Sequence, residues 1–392
     1  MDLFDKCDRF TRVEEIKNLG LYPYFHTLQS GQDTQVNVGG KDIVMIGSNN
    51  YLGLTSDKRV IDAGVQALKK YGSGCSGSRF LNGTLDLHVQ LEEELAEFLN
   101  KPAVVTFSTG FQSNLGIISA ICGLNDIILC DKENHASIYD ACRLSFGKMI
   151  RYNHSDMEQL EKLLIEHSGK GMLIVTDGVF SMSGEICKLP EIVLLAKKYG
   201  ARIMVDDAHS LGVLGKHGRG VAEYFGLEDQ VDIYMGTFSK SLASLGGYCA
   251  SSKSVIDYIK HNSRPFIFSA SITPASVACA LQSLRILKSE PQRIKNLADI
   301  SEYMRTGLKN LGVKIIDSKT PIIPIYTYED IATFKCCKLL FENGVYVNPV
   351  VSPETPVGQS LLRTSYTATH TKAQMDFAMK QIASTLKEVG VI

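Results

Sequence analysis

The sequence predicts an α/β protein in three parts: a short N-terminal helix and extended segment over 1–46, a large domain with a mostly parallel central sheet over 47–272, and a smaller α+β domain over 273–392. Three observations carry this. From Ala103 onward, short apolar runs at 103–107, 127–130, 172–176, 201–205 and 231–238 alternate with helical stretches, the pattern of parallel strands joined by crossover helices. Several of these runs end in clusters of polar residues, and in an open α/β sheet ligands gather beyond the carboxyl ends of the strands. A length of 392 residues is ample for two or three domains.

Composition narrows the function. With 44% hydrophobic and 21% charged residues the chain reads as a globular enzyme. Its net charge is −1, from 41 basic and 42 acidic residues, and no basic cluster is interleaved with aromatics, so no nucleic-acid partner is expected. No window approaches the ~18 apolar residues of a membrane span, and residues 1–10 are too charged for a signal peptide, which predicts a cytoplasmic protein. The ten cysteines show neither CxxC nor Cys/His metal spacing and read as reduced, mostly buried thiols; no metal site is expected.

In chain order, Phe4, Cys7, Phe10, Val13 and Ile16 recur at near-helical spacing and predict one amphipathic helix over 2–20. Its balanced charges favour packing on a partner subunit over lying on a membrane surface. Leu21 to Phe25 is an aromatic, proline-containing extended segment. A short strand at 43–46 leads into the amide-rich turn 47–54, where Asn50 stands within reach of a substrate. A helix follows with Val60, Val65 and Leu68 on its apolar face. Gly72 to Gly77 matches GxGxxG, but a helix precedes it where the dinucleotide fingerprint requires a strand, so that reading is rejected. Leu87, Leu91, Leu95 and Phe98 mark the next helix. Within the alternating region, Ser108 to Asn114 is a glycine turn opening a helix, suited to holding a phosphate on its N–H groups. Residues 155–167 and 190–200 are crossover helices. The last part alternates short strands and helices, with Arg363 on an apolar strand, which suggests a carboxylate from a substrate or from within the chain.

The chemistry centres on Lys240. An apolar strand delivers this lysine among Thr237, Ser239 and Ser241, and a lysine amine is a useful nucleophile only where desolvation lowers its pKa. Most lysines are solvated surface charge. What distinguishes this one is the strand before it, which runs into Asp206, Asp207 and His209, and the strand 127–130, whose following segment carries His135 to the same sheet edge. Pyridoxal 5'-phosphate needs a lysine for its Schiff base, a carboxylate at its ring nitrogen and a donor to its phenolic oxygen. Either aspartate satisfies the pattern.

With Asn-Tyr-Leu-Gly-Leu at 50–54, Gly-Ser-Gly-Cys-Ser-Gly-Ser-Arg at 72–79, Asp-Asp-Ala-His-Ser at 206–210 and Lys240, the chain resembles the α-oxoamine synthases, pyridoxal-phosphate enzymes of fold type I that condense an amino acid with an acyl-CoA and release carbon dioxide. The resemblance runs from about 51 to 370. Residues 236–241 and 264–271 are most similar to the branch that uses L-serine and palmitoyl-CoA; glycine-using members usually carry Gly or Ala before the lysine, where Ser239 stands. The resemblance implies Lys240 as the Schiff-base lysine, Asp206 at the pyridine nitrogen, His209 and Ser181 at the phenolic oxygen, and His135 stacked on the ring. It implies Gly110, Phe111, Thr237 and Ser239 as the phosphate cradle, completed by Ser269, Ala270 and Ser271 of a neighbouring subunit, hence a homodimer with a shared site. Asn50 and Arg363 match the family's carboxylate contacts. One departure is Val351, where some serine-using bacterial members carry a second arginine.

An apolar groove from Tyr22 to Phe25 and Phe266 to Phe268 is expected to hold the acyl chain, and a long-chain product leaves room for peripheral association with a membrane. Two other readings stay open: a sister synthase joining glycine to acetyl-CoA or alanine to pimeloyl-CoA, and a non-catalytic scaffold subunit, which would be expected to lack the lysine.

Overall fold

A computed structural model describes residues 2–392. At its centre lies a seven-stranded sheet, whose strands run in the order Ala103–Phe107, Gly247–Ser251, Ile233–Thr237, Arg202–Asp206, Met172–Asp177, Ile127–Asp131, Lys148–Tyr152. Only Gly247–Ser251 runs against the rest, pairing antiparallel on both sides. Period-two alternation places neighbouring residues on opposite faces. Val104, Leu129, Ile174, Val205 and Tyr234 enter one core, while Val105, Ile128, Val175, Met204 and Met235 enter the other. Covered on both faces, the inner strands are apolar along most of their length and turn polar at their carboxyl ends, and each fully buried Ile, Leu or Val contributes roughly 1.5–3 kcal/mol. Helices Gly110–Ile121 and Ala136–Leu144 cover the second face. Helices Met157–Glu166, Leu189–Tyr199 and Pro274–Ser289 cover the first.

A separate apolar core gathers Val44, Ile46, Met304, Ile323, Leu340, Leu362 and Ile382. Around it lie two three-stranded sheets. One joins Gln35–Val38, Lys41–Met45 and Val345–Tyr346; the other joins Ile322–Tyr328, Ser360–Ser365 and Asn348–Val350. The N-terminal strands thus pack with the C-terminal unit. Residues of helix Pro274–Ser289, together with Ile294 and Leu297, share the first core, and Met304 shares the separate one. We therefore propose that the junction between the units runs through helix Gln292–Asn310.

Four expectations need correction. The predicted N-terminal helix is two short ones, Asp5–Asp8 and Arg12–Asn18, because only Ile16 finds a buried position to hold a longer one. Helix Lys58–Tyr71 buries Val60, Gly64 and Ala67, leaving Val65 and Leu68 exposed. Strands Lys148–Tyr152 and Gly247–Ser251 join the sheet in addition to the five expected. Finally, Tyr22 and Phe334 belong to one apolar cluster and Phe266 to another, where it packs on Phe107 at 5.7 Å between ring centroids, so the two aromatic stretches form no common groove within one chain. Among the described residues, no helix is long and apolar enough to cross a membrane.

Candidate active site

The same-direction strands bring their carboxyl ends to one edge of the sheet, where a cavity of about 240 Å³ opens. Past Thr237 the chain closes a tight turn, with the Phe238 N–H donating to the Gly246 carbonyl at 2.9 Å and the Ser244 N–H to the Phe238 carbonyl at 2.9 Å. That turn presents Lys240 to the cavity. Burial lowers the Lys240 amine to about 8; Asp206 and Asp177 oppose the shift and Arg363 adds to it. The neutral amine is therefore far more populated near neutral pH than in an ordinary lysine, as a nucleophilic lysine requires.

Asp206 lines the cavity, whereas Asp207 does not. One Asp206 oxygen accepts the Asn114 amide at 2.8 Å and the other the Ala208 N–H at 2.9 Å. Asp207 points into the protein, where it accepts the Ser210 hydroxyl and the Val221 N–H. The structure thus separates two adjacent carboxylates that the residue pattern alone left equivalent. His135 caps the helix that follows it, its Nδ1 accepting from the Ser137 N–H at 3.2 Å and meeting the Ser137 hydroxyl at 2.7 Å. Its backbone N–H donates to Asp177 Oδ2 at 3.0 Å. Burial, reinforced by Lys240 and opposed by Asp206, lowers the His135 pKa. His209 is held well below its ordinary pKa by burial and then by Lys240, so it is neutral, and its Nδ1 meets the Tyr51 hydroxyl at 2.7 Å. Burial pushes the Tyr51 phenol up to about 12, which keeps it protonated.

Gly110, Phe111, Thr237 and Ser239 all line the cavity. The Thr237 and Ser239 hydroxyls are 2.9 Å apart, and the first turn of helix Gly110–Ile121 leaves N–H groups without an intrahelical acceptor. Arg363 spans the junction: Nε donates to the Ser181 carbonyl at 2.6 Å and Nη2 to Asn49 Oδ1 at 3.1 Å. Ser181 itself is half-buried beside the cavity rather than on its wall. Asn50 lines an adjoining cavity of about 550 Å³ that shares Ser239, Lys240 and Leu245 with the first, and its buried amide nitrogen has no partner. Segment 269–271 does not line the cavity: the Ala270 carbonyl accepts the Ser108 hydroxyl, next to the glycine turn, and the Ser271 N–H and hydroxyl meet the Gly77 carbonyl at 3.0 and 3.1 Å. Val351 is buried in an apolar cluster with Ile16, Leu21 and Phe334. Sequence reasoning passed over Asp177, Asn114, Ser137 and Tyr51. Tyr51 stood in the motif at 50–54 and Asn114 at the end of the turn 108–114 without a role of their own, and nothing local marks a residue whose partner is 92 positions away, as Asp206 is for Asn114.

Residues 41–382 match the model of the aminotransferase class I and II family. The chain belongs to that family. Within it the chain falls among the α-oxoamine synthases: it is 52% identical to a serine palmitoyltransferase of Sphingobacterium spiritivorum over 99% of this chain and 98% of the relative. It is 42% identical to an 8-amino-7-oxononanoate synthase of Thermosipho melanesiensis over the whole of both chains. A solved serine palmitoyltransferase carrying the pyridoxal phosphate internal aldimine superposes with a TM-score of 0.97 at 36% identity, covering all of both chains. Pyridoxal phosphate is therefore the cofactor, and the residues present fit it. The cavity wall holds buried oxygens of Asp177 and Asn114 that have no partner. A Cβ on Gly110 would stand 2.8 Å from Thr237 Oγ1, so only glycine keeps the space between the helix N-terminus and the two hydroxyls open.

Proposed function

We propose that this protein is a cytoplasmic serine C-palmitoyltransferase, condensing L-serine with palmitoyl-CoA to give 3-ketosphinganine, coenzyme A and carbon dioxide, the entry step to sphingolipids. The observation that carries the reading is Lys240: a desolvated amine facing a cavity that also holds a carboxylate, two neutral imidazoles and the N-terminus of a helix. The choice of serine over alanine rests on the higher identity to the serine palmitoyltransferase than to the oxononanoate synthase.

Pyridoxal phosphate, when bound, supplies an electron sink for the pair left at the amino-acid Cα. The chain's own residues do the rest. Lys240 holds the cofactor and, once freed, accepts the Cα proton, for which a pKa of about 8 suits it. Asp206, fixed by Asn114 and the Ala208 N–H, keeps a negative charge where a ring nitrogen needs a proton. His209, oriented by Tyr51, and Ser181 are assigned to the phenolic oxygen, and His135, oriented by Ser137, to the ring face. Gly110, Phe111, Thr237 and Ser239 take the phosphate, and Asn50 and Arg363 the substrate carboxylate, with the guanidinium already oriented by Ser181 and Asn49. Segment 269–271 stands off its own chain's cavity wall, and exposed Ala270 and Phe268 support a homodimer in which it reaches the partner's site.

The test is a visible-absorbance titration of the cofactor-loaded protein, expected to be yellow, with L-serine, glycine and L-alanine in parallel, repeated on Lys240→Ala. A spectral change saturating at far lower L-serine, with coenzyme A released only on adding palmitoyl-CoA, is the expected result. Preference for glycine or alanine moves the function to a sister synthase, and a colourless protein that binds no cofactor removes the reading altogether.

A further inference from the structure

At the same sheet edge, beside the cavity rather than in it, a histidine sits among three carboxylates. His154 Nδ1 is 3.0 Å from Asp131 Oδ1, and its Nε2 is 3.4 Å from Glu185 and 3.8 Å from Glu133. Its side chain is only 15% exposed, and its ring stands edge-on to Phe180, 4.4 Å between centroids. We propose that His154 is a positioning residue that locks together the two loops, 131–135 and 178–187, from which His135 and Val179 reach the cavity wall and the Ser181 carbonyl receives Arg363.

Each loop is tied to His154 on one side and to the site on the other. In the first, Asp131 also accepts the Glu133 N–H at 2.9 Å and the Ser155 N–H at 2.9 Å, and three residues later Asn134 donates to the Val175 carbonyl at 2.8 Å, setting where His135 leaves the sheet. In the second, the Phe180 N–H donates to the Glu185 carbonyl at 2.9 Å and the Gly184 N–H to the Phe180 carbonyl at 2.8 Å. That closed loop carries Val179 on the cavity wall and the Ser181 carbonyl that receives Arg363 Nε. Burial disfavours the charged ring, but its hydrogen bonds to Asp131 and Glu185 outweigh this and raise the pKa to about 10. The sign is that of a cation gaining partners: the clamp is whole at neutral pH and is lost as pH rises through about 10. The groups facing it are Asp131, Glu133, Glu185 and the Ser155 hydroxyl at 3.5 Å from Nε2; of the cations beside this segment, Lys188 donates to the Ser155 carbonyl at 3.0 Å and lowers Glu185 alongside His154, and Lys132 donates to Asn153 Oδ1 at 3.4 Å.

The inference rests on the reading that Arg363 receives the substrate carboxylate, so the test pairs kinetics with a measurement that needs no substrate. His154→Gln, His154→Lys and Glu185→Gln are compared with the wild-type holoenzyme by KM for L-serine, kcat at saturating palmitoyl-CoA, and amide hydrogen exchange without substrate. His154→Gln is expected to raise KM about tenfold while kcat changes less than about threefold, with faster exchange in 131–135 and 178–187. His154→Lys, restoring a cation, recovers most of both effects. Glu185 is half exposed, so Glu185→Gln folds in any case and shifts both readouts the same way by less. Unchanged exchange in both loops in Glu185→Gln and His154→Gln overturns the proposal, as does a fall in kcat and melting temperature with KM unmoved. So does a chelator that reproduces in the wild type the raised KM and the faster loop exchange of His154→Gln, which would make the cluster a metal site. If L-serine is not the substrate, the kinetic arm fails in the wild type while the exchange arm still decides about His154.

Discussion

At the scale of single residues, the adjacent pair Asp206 and Asp207 shows how far one position along a strand changes a side chain's task. Asp206 faces the cavity with both oxygens tethered, so Asp206→Asn removes a charge at the site without disturbing a core, and kcat/KM is expected to fall by at least about 10² with little change in melting temperature. A variant with wild-type kcat/KM would remove Asp206 from the mechanism. Asp207 is the reverse case. Burial raises its pKa to about 7, against the opposing Ser210 and Val221 hydrogen bonds. A raised carboxyl pKa means that the native state keeps a proton that the unfolded chain has already released, so this group costs stability as pH rises from about 4 to 7, by roughly 3–4 kcal/mol across the window. Asp207→Asn is expected to abolish that component, read as the wild-type minus variant difference in urea-unfolding free energy between pH 4.5 and 7. Parallel curves would show that Asp207 does not titrate there. The sequence announced these carboxylates because they follow a strand end. It did not announce Asn114 or Asp177, whose meaning depends on which distant side chain the fold sets opposite them.

At the scale of elements, the five legible strands are apolar runs: four are inner strands covered on both faces, and the fifth, Ala103–Phe107, is an edge strand buried from Val104 onward. The two that escaped have reasons. Lys148–Tyr152 is the edge strand opposite Ala103–Phe107 and keeps Lys148 and Arg151 in solvent, while Gly247–Ser251 is built, Tyr248 apart, of small residues that pass close to their neighbours. A Cβ on Gly247 would lie 2.8 Å from the Gly236 carbonyl oxygen. Turns carry their own constraints. Gly110→Ala drives a methyl group to 2.8 Å from Thr237 Oγ1, and cofactor affinity is expected to weaken at least about tenfold, or ~1.4 kcal/mol, by absorbance titration. Unchanged affinity would place the phosphate elsewhere. In the loop after Lys240, Ala243 holds φ at 50°, a left-handed conformation costing an L-residue roughly 1–2 kcal/mol. Glycine loses more backbone freedom on folding, which offsets part of that relief, so Ala243→Gly is expected to raise stability by up to about 1 kcal/mol in urea unfolding. A destabilised variant would mean that the methyl group's packing outweighs the strain.

At the scale of the whole molecule, the site lies where two separately cored units meet, and this could not be read along the chain, because residues 43–46 pair and pack with segments some three hundred positions later. Arg363, proposed above for the substrate carboxylate, bridges the two units. It stands on strand Ser360–Ser365 of the C-terminal unit, yet it donates to Ser181 from the large unit and to Asn49 in the turn between them. Its fork is held before any substrate arrives, so little of the binding energy of a carboxylate goes into ordering the side chain. A lysine at 363 would keep the charge but supply one point donor in place of a planar fork, leaving the Ser181 and Asn49 oxygens competing for it. Arg363→Lys is accordingly expected to raise KM for L-serine by roughly 10- to 100-fold, about 1.4–3 kcal/mol, with the yellow colour of the holoenzyme retained. Arg363→Ala removes the cross-junction hydrogen bonds as well, so exchange of amides 179–184 and 348–365 should quicken in the alanine variant more than in the lysine one. If KM for L-serine is unmoved in both, the arginine is a structural strut and the carboxylate contact must be sought on the Asn50 side of the cavity.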